Sequence, residues 1–147
     1  MPTVADRSQP ILRVPRDQTP VSVTLHDGER ASALLFVPPG DSIAKLLSDS
    51  TTFVPVSYSS GTRLVARTAI ACITVHVIHA RLDDGDLPRE RQRAIVRLRA
   101  GTLIQGELRW IAPPGRRRTL DCINDDATHL MIHDGDYVSY IAKAHIA

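Results

Sequence analysis

The sequence predicts an all-β protein: two tandem five-stranded small barrels related by internal duplication and packed together. Three observations predict it. Leu64-Val65-Ala66-Arg67-Thr68-Ala69-Ile70-Ala71 returns 76 positions later as Tyr140-Ile141-Ala142-Lys143-Ala144-His145-Ile146-Ala147, with five of eight pairs identical or close in kind. Pro38-Pro39-Gly40 returns as Pro113-Pro114-Gly115, in the same order relative to its neighbours. Aromatic residues are only 4% of the chain, and ten prolines and eight glycines are spread through it. The core must then come from Val, Ile, Leu and Ala, and β-branched residues broken by frequent turn formers favour short strands.

Residues 1–20 carry Pro2, Pro10, Pro15 and Pro20 among polar residues and arginines, which suits a flexible N-terminal arm. The first unit spans 21–80. Val21 to Leu25 alternates apolar and polar residues as a half-buried strand does, and Asp27-Gly28 signals a turn. Ala31 to Val37 reads as a second strand, stopped by Pro38-Pro39-Gly40, because proline cannot donate to a ladder. Asp41 to Ser48 suits a helical turn capped by Asp41 or Ser42, with Leu46 and Leu47 packing inward. Phe53 to Tyr58, Arg63 to Ala66 and the β-branched run Ile70 to Ile78 complete five strands.

Residues 81–93 are polar, contain Asp84-Gly85 and Pro88, and read as a linker. The second unit spans 94–147 and repeats the order. Ala94 to Leu98 is its first strand, Ala100-Gly101 the turn and Thr102 to Ile111 the second strand. Leu120 to Ile123 followed by Asn124-Asp125-Asp126 matches Leu46 to Ser50, and His129 to His133 matches Phe53 to Ser57. Asp134-Gly135-Asp136 is a hairpin turn, and Tyr137 to Ile146 closes the copy. A unit this short has a marginal core by itself, so packing together or continuing one sheet would stabilise both.

This order, with Val65-Ala66-Arg67-Thr68-Ala69-Ile70 and Ile141-Ala142-Lys143-Ala144-His145-Ile146 at the turn from fourth to fifth strand, resembles the Sm-like and SH3-like small β-barrels. Thr68-Ala69 and Ala144-His145 stand where Sm-like proteins carry a glycine with Asn or Asp. The resemblance implies two barrels, and RNA binding as one function such a fold carries.

Net charge is +2, too small to declare a nucleic-acid protein. Its distribution says more. Residues 81–118 hold ten arginines against five acids, whereas residues 119–147 hold one lysine against five aspartates. Arg116-Arg117-Arg118 follows the second Pro-Pro-Gly, and three guanidinium forks in a loop suit phosphates or carboxylates. The alternative is a solvated loop paired with Asp121, Asp125 and Asp126. Arg89-Glu90-Arg91-Gln92-Arg93 places Arg89 and Arg93 four apart, with Asp121 further on. That spacing is similar to the opening of PilZ domains, which implies a cyclic-dinucleotide receptor. The second PilZ motif needs a serine and a glycine where this chain has Asp121-Cys122-Ile123-Asn124-Asp125-Asp126.

Other constellations give little chemistry. His129 and His133 on one strand face lie roughly 13 Å apart, too far to share an ion, and suit a hydrated outer face. His76 and His79 would face opposite sides of a strand. Cys72 and Cys122 stand singly, a spacing for neither zinc nor a disulfide framework, and read as small core residues. No Gly-x-Ser-x-Gly, phosphate loop or dinucleotide fingerprint is present, and a small duplicated β chain leaves little room for an enzyme-sized pocket. Trp110, Tyr58, Tyr137 and Tyr140 suit core or rim packing better than base stacking.

The chain therefore reads as a non-catalytic interaction or assembly module without cofactor or metal. Its expected partners are further copies of itself or another protein, with nucleic acid as the alternative and no membrane. With no apolar N-terminal segment and no run of about eighteen apolar residues, a soluble cytoplasmic protein is expected.

Overall fold

The computed structural model describes residues 18–48, 52–80, 90–110 and 127–147. Nine strands are present in the described residues: β1 (Gln18–Leu25), β2 (Arg30–Phe36), β3 (Phe53–Tyr58), β4 (Gly61–Ala66), β5 (Ile70–His76), β6 (Glu90–Arg97), β7 (Leu103–Trp110), β8 (His129–Asp134) and β9 (Tyr137–Ala142). One α-helix, α1 (Ile43–Ser48), joins β2 to β3, and short 3-10 turns follow β4, β5 and β9. The protein is all-β, and all nine strands join one sheet in the order β4-β3-β2-β1-β5-β9-β8-β7-β6. Every neighbouring pair is antiparallel.

The hydrophobic periodicity sets which side of each strand is buried. Val21 and Val23 on β1, Ala33 and Leu35 on β2, Val54 and Val56 on β3, and Val65 on β4 form one core with Ile43 and Leu47 of α1. Val96, Leu108, Leu130, Ile132 and Ile141 form a second core with Ala71 and Cys72. Ile73 lies in the first core and Cys72 in the second; Tyr140 lies in the first and Ile141 in the second. Successive strand residues point to opposite sides, so the two cores occupy opposite faces of the continuous sheet. A register shift between Thr24 and Leu25, opposite Ile70 to Cys72, marks a bulge beside which the consecutive residues Ala71 and Cys72 both reach the second core, while Ile70 and Ile73 lie in the first.

Backbone contacts recur between the halves. Gly28 and Gly101 both have positive φ, 92° and 102°, in turns where each donates to the residue three before it, Leu25 or Leu98. His26 donates to Ala69 O and Arg99 to His145 O, each at 2.8 Å. Arg67 donates to Thr52 O at 2.9 Å, and Lys143 to Thr128 O at 3.0 Å. Core residues recur too: Val23 and Val96, Leu35 and Leu108, Val54 and Leu130, and Val65 and Ile141 stand at matching places.

The structure moves some expected boundaries. β1 begins at Gln18, so the last three residues of the expected arm belong to a strand. Pro20 is accommodated because it faces Leu34 of β2, whereas β5 pairs with β1 only from Val21 onward. Residues 81–89 of the expected linker lie outside the described residues, but Glu90 to Arg93 already pair with Trp110 to Glu107. An edge strand tolerates charge on both faces, which hides it from an alternation test. The second half ends differently from the five-strand expectation. After β9 comes a 3-10 turn, then only a bridge from Ile146 to Leu98 and a bond from Ala147 N–H to Arg97 O. Ser42 caps α1 as expected, accepting from Lys45 N–H at 3.1 Å, but the fully buried pair is Ile43 and Leu47.

Candidate functional site

Arg116, Arg117, Arg118 and Arg89 lie outside the described residues, as do Cys122 and the 121–126 segment. Arg93 is exposed on β6 opposite Glu107 of β7. Alternation carries Arg91 and Arg97 to the same side, away from Val96 in the second core. Arg91 faces Arg109 across the ladder, and Arg109 Nε donates to Glu107 Oε1 at 2.6 Å. The bond from Arg109, with the charges of Arg109, Arg91 and Arg93, lowers the pKa of the Glu107 carboxyl despite some desolvation. Four arginines and one glutamate thus share one solvent-facing row at the end of the sheet. Arg109 comes beside Arg91 only once β6 and β7 are paired.

The second constellation is the pair of sheet edges. Among the described residues, β4 pairs only with β3, and β6 pairs only with β7 apart from the bridge at Leu98. β4 ends a surface on which Leu34, Phe36, Phe53 and Leu64 are exposed, the last at 70%. Contiguous apolar exposure next to an unpaired edge is what interaction surfaces show. Arg63 is held on the other side of β4, 4.4 Å over the Tyr58 ring and 3.4 Å from Glu29.

A groove of about 900 Å³ opens where the two halves meet, lined among others by Ser22, Ser32, Thr74 and Ser139 and by Leu103 and Gln105 from β7. This corrects the expectation that so small a β chain leaves little room for an enzyme-sized pocket. The second half curls back across the hydroxyl-bearing face of the first, and the groove lies between them. Its floor is internally satisfied: Thr74 and Ser139 hydroxyls lie 2.7 Å apart, and Arg30 Nε donates to Ser22 Oγ at 3.1 Å. His76 and His79 both border it, because the strand ends at His76 and a 3-10 turn swings His79 round. His76 accepts from Ile78 N–H and meets the Tyr137 ring edge-on at 5.3 Å.

The hydrated outer face expected for His129 and His133 does not hold for His133, which is buried. Met131 between them packs on the first core. Burial lowers the pKa of His129, with Arg67 and His145 adding to the effect. Among the described residues no three His, Cys, Asp or Glu side chains are placed to share a metal ion. Cys72 is buried, and burial raises its thiol pKa, so it packs as a core residue. No helix among the described residues is long and apolar enough to cross a membrane. Comparison of the chain with protein-family models, with curated proteins and with solved structures finds no match.

Proposed function

We propose that this chain is a non-catalytic interaction and assembly module, two tandem small barrels of the kind the Sm-like and SH3-like resemblance implies, which associates through open strand edges. The observation that carries the reading is the seam between its halves. β9 of the second half adds to β5 of the first over five residue pairs, Tyr137 to Ile141 against His76 to Cys72. The halves are therefore joined by strand addition, and open edges remain at both ends of the sheet among the described residues. Light scattering over a concentration series tests it: the mass should rise above 16.2 kDa as concentration increases. A mass fixed at that value at every concentration overturns self-association.

The arginine row favours a second reading, an RNA-binding surface on β6 and β7, with Arg116 to Arg118 as further candidates from the sequence. Residues alternating along a strand repeat at roughly 6.4–6.8 Å, which suits an extended chain of phosphates. Binding of a single-stranded oligonucleotide should weaken steeply with salt. Arg91→Ala/Arg93→Ala/Arg97→Ala should reduce the slope of log K against log salt by about 2, near 0.7 per lost contact. No binding at low salt removes this reading.

A further inference from the structure

We infer that β4 is the self-association edge, and that two copies pair antiparallel through Thr62, Leu64 and Ala66 about a two-fold axis at Leu64. The inference rests on the assembly reading and specifies its partner as a second copy of this chain.

The hairpin fixes which backbone groups face outward. Tyr58 and Gly61 close it across a two-residue turn, and Pro55 lies opposite Leu64. Hydrogen-bonded and non-bonded pairs alternate along an antiparallel ladder. Closure by a bonded pair at Tyr58 and Gly61 makes Pro55 and Leu64 a non-bonded pair, which suits a residue without an N–H. The bond from Arg67 N–H to Thr52 O is in phase with this assignment. Thr62, Leu64 and Ala66 therefore turn their N–H and C=O groups away from β3, toward the open side.

The molecule already shows what such an edge does. Val138, Tyr140 and Ala142 of β9 stand 76 positions after these three residues, in a hairpin of the same register. Val138 and Tyr140 pair with Val75 and Ile73 of β5. Tyr140 is 3% exposed there, whereas Leu64 is 70% exposed. Leu64 thus occupies the place that is buried wherever the equivalent edge is paired. Nothing on β4 guards the edge, since it has no lysine or proline and Arg63 is engaged by Tyr58 and Glu29.

Strand direction and charge select the occupant. With nine strands all antiparallel to their neighbours, β4 and β6 run the same way. With the faces of the two sheets aligned, head-to-tail joining of β4 to a second copy's β6 would be parallel, unlike every other pair in the molecule and slightly less stable; with one copy turned over it would be antiparallel but would set Leu64 beside the arginine row of β6. Joining β6 to β6 would bring together two rows carrying Arg91, Arg93 and Arg97. Joining β4 to β4 is antiparallel, and centred on Leu64 it places Arg63 opposite Val65 of the second copy and the two leucines against each other.

The test uses the full chain. Light scattering should show a mass rising toward two copies. Leu64→Lys, which sets two like charges face to face, should raise the dimer dissociation constant by about tenfold or more, with an unchanged far-UV spectrum and, at concentrations where the wild type is monomeric, an unchanged melting curve. In a Cys122→Ser background, a short bis-maleimide should link Leu64→Cys to its counterpart and leave Ile95→Cys of β6 unlinked. A wild-type dimer that survives Leu64→Lys, that links through Ile95→Cys, or whose mass climbs past two copies overturns the β4 axis while leaving the assembly reading standing. A wild-type monomer at every concentration overturns both.

Discussion

A methyl added at Gly106 would lie 2.5 Å from the carbonyl oxygen of His133 and from Ile132 Cγ2. The oxygen belongs to the backbone of β8 and cannot step aside without moving the strand. Gly106→Ala should therefore cost about 1–3 kcal/mol, read as a lower denaturation midpoint in urea. At the matching place in the first half, Ala33 carries its methyl within the core, so the closeness belongs to the second half alone. His129 gives a residue-scale pH dependence. Burial holds its folded pKa below the ordinary value of about 6.5, so the unfolded chain binds the proton more readily. Its contribution is complete above that value and is lost as pH falls through the lowered folded one. The melting temperature of His129→Gln should change less between about pH 7.5 and pH 5 than that of the wild type. An equal change in both would remove His129 as a cause. At this scale the sequence exposed some of the candidate site and hid the rest. Arg93 was legible from local arginine density. Arg109 was not, because its place beside Arg91 depends on the pairing of two strands.

At the scale of elements, strands with a buried face were legible because period-two alternation survives wherever one side meets a core. β3 appears at its expected bounds, and β1, β2 and β5 depart from theirs by a few residues at their ends. The start of β6 was hidden because Glu90 to Arg93 carry polar side chains on both faces, as an edge strand can. The joining of nine strands into one sheet was not readable from local pattern at all, since it depends on contacts such as Tyr140 with Ile73, far apart in the chain. β5 is the element on which most depends. It lies between β1 and β9, and Ile73 is fully buried in the first core. Ile73→Ala should destabilise by about 2–5 kcal/mol, against a few tenths for Leu64→Ala in the monomer. Comparable losses at the two sites would contradict the placement of the core.

For the whole molecule, the sharing of β5 and β9 between two cores predicts cooperativity. Neither half can lose its core without removing support from the strand that carries the other. Calorimetry at low concentration should show a single transition with calorimetric and van 't Hoff enthalpies equal. Two separable transitions would mean that the halves are independent. The concavity between them was likewise invisible in the sequence, because the hydroxyls of Thr74 and Ser139 come from strands 65 residues apart in the chain.

The placement of the cores on opposite faces has a consequence for how faithfully the chain aligns itself. If β5 slid by one residue past β9, Ile73 would turn out of the first core as Cys72 turned out of the second. A sheet with one wet side penalises such a slip only on the other. Here a misaligned seam would be penalised on both sides at once, so it admits a single alignment although no turn connects its two strands.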